Sequence, residues 1–437
     1  MRIGRTLPPV AAPLAWRDLW HGLIGGLDRD HAIRTLEEEI RREFDVAHVF
    51  LLSSGTAALA LTLTALKSLS PGRDVVLPAF TCPSVPAAVL EAGLHPIPCD
   101  IDAATFDFDH ERLDEAVTGQ TLCVIAHHLF GIPSDVERLR NRCHPRGIVV
   151  VEDAAQAMGA EAGGRKLGTM GDVGIFSFGR GKNITCGSGG VILTNSDRIA
   201  GAIGPHYRRL HAPSLVCNLK ALARIALMMV FIRPRLYWIP AALPFLALGE
   251  AIFPKTIPMT RLAAMQAGLL RGWASRLARS NEIRSRTAAW FRRQLPIRLT
   301  PEPPQPYLRL PIAVANAKER ARIYSRSRKR GLGLSVGFPA PVNEIPEMRA
   351  ICHGRRCPRA RRVADTILTL PTHQWVAEED MRAIADLLRD ADLAEWCRDA
   401  AADGPDAREI GSAPGRMAMD PEGSLATRER VRDVSAA

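Results

Sequence analysis

Short runs of continuous apolar residues, each followed by an amphipathic stretch, recur between Asp30 and Ser196 and constrain the fold more than any other feature of the chain. Val49–Leu52, Val75–Pro78, Leu122–Ala126, Ile148–Glu152, Val173–Phe178 and Val191–Thr194 are the candidate strands. Ala57–Ser68, Pro83–Ala92, Glu111–Ala116 and Asp135–Arg142 are the candidate helices among them, and His31–Phe44, apolar at helical intervals, precedes the first strand. A strand without polar alternation is buried on both faces, and helices between successive strands provide the cover. The pattern predicts an α/β fold with a mostly parallel sheet in a large domain.

Beyond Ser196 the texture changes. Within Leu219–Phe253 two apolar blocks, Ile225–Ile232 and Leu236–Leu248, flank Arg233-Pro234-Arg235. Neither reaches the roughly 18–20 apolar residues that span a bilayer. The segment reads as an apolar insertion, buried as a helical hairpin or at a dimer surface. The alternative is a peripheral membrane contact, with the arginines at lipid phosphate. Arg261–Arg293 is expected to form one long arginine-rich helix, and Ile297–Leu388 a smaller C-terminal α/β domain. At 437 residues, 47% of them hydrophobic, the chain is long enough for two domains. Residues 30–260 make the large one, with the insertion at 219–253; residues 261–395 make the linking helix and the small one. Residues 396–437, rich in Ala, Asp, Gly, Arg and Ser without apolar periodicity, read as a disordered tail.

The net charge of +11 favours anionic partners without selecting among them, and 5% aromatics with no basic-aromatic interleaving argues against nucleic acid. Nine scattered cysteines suit a reducing cytoplasm better than a disulfide framework. The close pair Cys352 and Cys357 lacks the second pair of ligands that a zinc site needs. The opening MRIGRTLPPVAAPLAW is too short and too broken by proline for a secretory signal.

Three segments carry chemistry. In Leu51–Leu59 a strand ends in Ser53-Ser54-Gly55-Thr56 and a helix begins at once. Backbone N–H groups at such a turn can hold a phosphate, though the same residues also serve as an ordinary N-cap. In Val149–Ala157 an apolar strand delivers Asp153 to the carboxyl end of the sheet, where ligands bind in open α/β folds. Asp153 suits a protonated pyridine nitrogen, or the cap of the next helix. In Gly174–Ile184 a strand ends at Ser177 and a glycine-flanked loop presents Lys182. A loop lysine is ordinarily solvated, but an apolar setting makes it a Schiff-base nucleophile. A phosphate cradle, a carboxylate, a serine and a lysine together form the set that pyridoxal 5'-phosphate (PLP) requires.

These residues resemble the DegT/DnrJ/EryC1/StrS family of sugar aminotransferases over about Asp30 to Leu388. The likeness rests on Ser54-Gly55-Thr56, Pro78-Ala79-Phe80-Thr81, Gly93 through Asp102, His128-Leu129-Phe130-Gly131, Asp153-Ala154-Ala155-Gln156, and Ser177-Phe178 with Lys182 and Gly189-Gly190. The spacing from Asp153 and from Ser177 to Lys182 fits as well. The resemblance implies a fold-type-I PLP-dependent transferase with Lys182 as the covalent anchor and proton carrier. It further implies Asp153 at the pyridinium, Gln156 near the phenolic oxygen, and Ser54, Gly55, Thr56 and Ser177 around the phosphate. The implied reaction moves an amino group, with glutamate as donor, to a keto group of a nucleotide-linked sugar, in a homodimer with sites at the subunit interface.

Three positions depart from the family pattern. Cys82 stands where relatives often stack an aromatic on the cofactor ring, and it covers a ring face more weakly. Ser188 replaces the usual Glu before the paired glycines. Thr256–Met259 lacks the Asn and Arg that a neighbouring subunit usually contributes to the phosphate. The competing readings are a PLP-dependent sugar dehydratase or other PLP enzyme, against which Lys182 argues, and a non-catalytic regulator or membrane-associated scaffold on the same fold, against which the complete PLP set argues.

Overall fold

The order of apolar strands and covering helices is realised as a seven-stranded sheet. The structure, a computed structural model, describes residues 2–243, 246, 248–249, 251–297 and 305–394, all within one compact unit, Met1–Asp399. The tail expected at 396–437 lies outside these residues. The strands are β1 (His48–Leu52), β2 (Asp74–Pro78), β3 (His95–Cys99), β4 (Thr121–His127) and β5 (Val149–Asp153), then a short hairpin of β6 (Glu161–Ala162) and β7 (Arg165–Lys166), then β8 (Val173–Ser177) and β9 (Gly190–Thr194). Their order in the sheet is β1-β9-β8-β5-β4-β2-β3. The five strands from β8 to β3 run parallel, while β9 is antiparallel to both β8 and β1.

Burial on both faces is visible residue by residue. Val150 of β5 faces a core covered by Leu36, Ile40 and Phe44 of α2 (Arg29–Phe44), by Leu113 of α5 (His110–Ala116) and by Val136 and Leu139 of α6 (Val136–Cys143). Its neighbour Val151 faces the opposite core, supplied by α3 (Gly55–Leu66), α4 (Ser84–Glu91) and α7 (Asp197–Arg209). Each such side chain taken out of water contributes roughly 1.5–3 kcal/mol. A third core joins the pair β10 (Arg309–Ala313) and β11 (Ile367–Pro371) to α12 (Ala317–Arg330), α13 (Pro358–Thr366) and α14 (Glu378–Leu388), and reaches Phe80 and Phe130 beyond the ends of β2 and β4.

The structure differs from the sequence reading at several elements. The single helix expected at Arg261–Arg293 is two: α10 (Ala264–Leu269) and α11 (Trp273–Gln294). Gly272 between them adopts φ 67, a left-handed conformation that ends helical propagation. An additional helix, α1 (Trp16–Leu27), packs against α10 through glycines. A Cβ on Gly25 would sit 2.8 Å from the Ala264 carbonyl oxygen. Its buried Asp18 pairs with Arg276 at 2.6 Å.

The insertion forms α8 (Leu215–Phe231) and α9 (Pro234–Ala241), with Pro234 at the first turn of the second. It is half-buried rather than buried: Ile225 and Met229 enter the core, whereas Val216, Leu219 and Leu227 face outward. Among the described residues no helix is long and apolar enough to cross a membrane.

The N-terminal segment is laced across the C-terminal region. Arg5 makes a two-pronged pair with Asp380 at 2.9 and 2.7 Å, and the Leu7 N–H donates to the Gly331 carbonyl at 2.9 Å. Pro8 accepts from His373 Nε2 at 2.8 Å, and Ala11 accepts from the buried Arg284 at 2.7 Å.

Candidate active site

The carboxyl ends of β2, β4, β5 and β8 converge on one edge, where the sheet order places a ligand crevice. A glycine cradle lies at one end. Ser54 caps α3 by accepting from the Ala57 N–H at 3.0 Å, and Gly55 follows as the first helical residue. A Cβ on Gly55 would lie 2.9 Å from Ser177 Cβ and 3.2 Å from its Oγ, so the bare backbone is required there. Gly190, on the antiparallel β9, presses its Cα side against the Ser54 carbonyl with equally little room. Ser177 Oγ accepts from the Gly179 N–H at 3.2 Å. The N-terminus of α3 thus packs closely against Ser177, with the half-buried Thr56 next in the helix.

A second group gathers around Lys182. Burial holds its amine below the ordinary lysine range, and the Arg309 guanidinium pushes the same way, while Cys82 and Asp153 act in opposition. Asp153 ends β5, is buried, and accepts from the Ala155 N–H at 3.1 Å. His127 is its register partner on β4. Burial lowers the His127 pKa to about 4, so the ring is neutral near pH 7, and its Nδ1 is buried without a hydrogen-bond partner. Cys82 Sγ accepts from Ser84 Oγ at 3.0 Å. Gln156 Oε1 accepts from the Phe130 N–H at 3.3 Å, a bond that depends on Phe130 adopting φ 58, costly for a residue with a side chain.

One cavity of about 1250 Å³ is lined by Cys82, Gln156, Lys182 and Arg309, but not by Ser54, Gly55, Thr56, Asp153 or Ser177. The sequence-derived residues therefore divide between a cavity wall and a cradle. Asp153 links the two through its electrostatic reach to Lys182.

Behind the site stands a buried network. Glu152 accepts from His128 Nε2 at 2.8 Å, from the N–H groups of Gly168 at 2.8 Å and Met170 at 2.6 Å, and from Gly171. Burial would raise its pKa, but these donors outweigh burial and hold it below the usual carboxylate value. Because His128 Nδ1 accepts from the Ser134 N–H at 3.1 Å, the ring proton sits on Nε2. The network fixes the loop between β7 and β8 and the turn that follows β4.

Sequence reasoning assigned no role to Arg309, His127 or Glu152. Arg309 lies 5.7 Å above the Phe130 ring, its Nη1 reaches Ser335 Oγ at 3.4 Å, and its Nε is buried without a partner. An arginine inside the apolar run Leu308–Ile312 was the available signal. The departures also find places. Ser188 donates to the Ser53 carbonyl, and the Pro258 carbonyl accepts from Ser53 Oγ at 2.8 Å, so both segments brace the cradle turn.

A mostly parallel α/β sheet that sets a glycine cradle, a carboxylate and a low-pKa lysine along one edge is the arrangement of the PLP-dependent transferases. The chain belongs to the DegT/DnrJ/EryC1/StrS aminotransferase family, whose sequence model matches residues 25–221 and 256–389. It is 29% identical over 366 residues to the UDP-N-acetyl-3-dehydro-alpha-D-glucosamine 3-aminotransferase of Acidithiobacillus ferrooxidans, covering 82% of this chain and 87% of that protein. It is 34% identical over 171 residues to the GDP-perosamine synthase of Vibrio cholerae, covering 39% of this chain and less than half, 46%, of that relative. Helicobacter pylori PseC, an aminotransferase involved in the biosynthesis of pseudoaminic acid, shares the fold with a TM-score of 0.70 at 16% identity, over 88% of this chain and 98% of that one. A sugar aminotransferase from Streptococcus pneumoniae, in its PLP-form, gives 0.67 at 20%, over 87% and 97%.

Proposed function

We propose that this chain is a PLP-dependent aminotransferase that takes an amino group from glutamate and places it on the keto carbon of a nucleotide-linked sugar. The observation that carries the reading is Lys182, whose amine burial favours in the neutral, nucleophilic form beside Asp153. The residues fit the cofactor. The close approach of Gly55 to Ser177 has no space for a Cβ, and the start of α3 beside it offers N–H groups, which suits phosphate. When bound, the cofactor supplies an electron sink and a carrier for the amine.

The remaining work falls to the chain. Asp153 would hold the pyridine nitrogen in its protonated form, Cys82 would cover a ring face, and Gln156 would orient the phenolic oxygen. Lys182 would hold the cofactor, and its amine is the chain's own group able to take up and return a proton there. Arg309, with no carboxylate partner at ion-pair distance among the described residues, receives the donor's carboxylate. Relatives named for UDP- and GDP-linked sugars support the acceptor class. A homodimer in a reducing cytoplasm completes the reading; among the described cysteines eight are free.

The test is the visible spectrum of the protein with added PLP, before and after L-glutamate, with Lys182→Ala alongside. A yellow band that glutamate bleaches, and that the variant lacks, is the expected result. No band with excess cofactor overturns the reading, and a band indifferent to glutamate replaces the donor.

A further inference from the structure

Residues 1–24 and 222–255 both lie outside the matched family regions. Both line the cavity that contains Lys182. From the first come Leu14 and Trp16; from the second come Met228 of α8, Ile232 just after it, and Ile239 and Pro240 of α9. The additions thus converge on the reaction chamber rather than scattering over the surface. At about 1250 Å³ the chamber exceeds the roughly 300–1,000 Å³ of ordinary small-molecule sites.

Its chemistry is graded. Lys182, Gln156 and Arg309 mark the reacting end, while α8 and α9 make the far wall apolar. Arg180, Arg224 and Arg233 also line the chamber, with no acid at ion-pair distance among the described residues. A water-soluble sugar nucleotide has nothing to place against Met228, Ile232 and Ile239. A molecule with a polar ring, an anionic link and a hydrocarbon chain matches each part in turn. Trp20 and Leu27 of α1 and Leu227 of α8 are exposed, which suits a substrate arriving from a lipid surface.

We propose that the acceptor is an amphiphile: a keto-sugar bearing a hydrocarbon chain that lies between α8, α9 and residues 9–16. The proposal rests on the aminotransferase reading for the identity of the keto-sugar, while the chamber itself can be tested apart from it. The chain is either an acyl substituent on the nucleotide-linked sugar or a prenyl group on the diphosphate in place of the nucleoside.

The experiment titrates PLP-loaded protein with dansylaminoundecanoic acid and follows dansyl fluorescence. Saturable binding at one site per chain is expected, weakened about tenfold or more in Ile232→Arg and Ile239→Arg and retained in Ile232→Leu. All three variants should keep the absorption band and its bleaching by glutamate, which shows them folded. Displacement of the probe by O-dodecanoyl UDP-N-acetylglucosamine assigns the acyl source, and displacement by dodecyl diphosphate assigns the prenyl source. Absence of binding, equal binding in the arginine variants, or displacement by neither compound overturns the proposal. So does loss of dimer in sedimentation of the arginine variants without a probe site in the wild type, because a second copy then fills the chamber. Probe binding in a protein whose band ignores glutamate would leave the chamber standing and remove the donor reading instead.

Discussion

Replacing Glu152 with Gln changes one atom in a fully buried network and isolates what that network contributes. Oε2 accepts from His128 and Gly168, and Oε1 accepts from Met170 and Gly171. The amide of Gln has one oxygen, so only one of these two pairs of donors retains an acceptor. The other pair meets an NH2 group. His128 cannot adapt by moving its proton to Nδ1, because that atom already accepts from Ser134. Two buried donors therefore lose their partners, at about 1–3 kcal/mol each, or about 4 kcal/mol together. For a unit the size of Met1–Asp399, at about 1.2 °C per kcal/mol, the unfolding midpoint should drop by about 5 °C. Thermal unfolding of the apoprotein at pH 7, followed by circular dichroism, measures this directly. The pH dependence has a definite sign. The Glu152 pKa is depressed in the folded state, so its contribution is complete above the ordinary carboxylate pKa and is lost as pH falls through the folded value. The gap between wild type and variant should accordingly narrow in acid. A midpoint within about 2 °C of wild type at pH 7 would refute the argument, since it would mean that the loop donors have other acceptors.

Further outcomes are expected at three positions. Gly55→Ala places a Cβ 2.9 Å from Ser177 Cβ and should weaken PLP binding at least about tenfold in an absorbance titration; unchanged affinity would remove the cradle as the phosphate site. Arg309→Met should raise the glutamate concentration for half-maximal bleaching by roughly tenfold to a hundredfold, with Lys recovering part of the loss, because a charge-assisted bond worth about 1.5–3 kcal/mol disappears. A simple amine donor without a carboxylate should be indifferent to the same change. Burial lowers His373 to about 3, so its neutral form ties down Pro8. Stability of the apoprotein should fall as pH drops from about 6.5 to about 3, and His373→Gln should flatten that part of the profile.

Much of the sheet could be read from apolar continuity, because β1, β2, β4, β5, β8 and β9 are runs that tolerate burial on both faces. The edge strand β3, His95-Pro96-Ile97-Pro98-Cys99, escaped that logic: its prolines argue against a strand except at an edge, where it lies. The split between α10 and α11 was hidden because Gly272 sits in an otherwise helical pattern, and only its positive φ reveals the break. The antiparallel course of β9 leaves no trace in composition. At the site, segments contiguous with motifs were legible, whereas Arg309 comes from a strand far along the chain and His127 gains meaning only from its register with Asp153. Glu152 looked like one more residue of a strand. Its function depends on four donors that only the folded loop supplies.

The cradle has a consequence for how the protein is made. Gly55 lies at the start of the sheet-forming segment and Ser177 and Gly190 near its end, and they meet only once β9 has settled between β1 and β8. A ribosome must release the whole of that segment before the cradle can form, and the closure of so long a loop comes late in folding. Cofactor capture is then a report that the sheet is finished. A damaging change far from the cradle, in β3 or α2 for instance, should first appear as colourless protein, and raising PLP in the growth medium should draw part of it back into the folded pool by mass action.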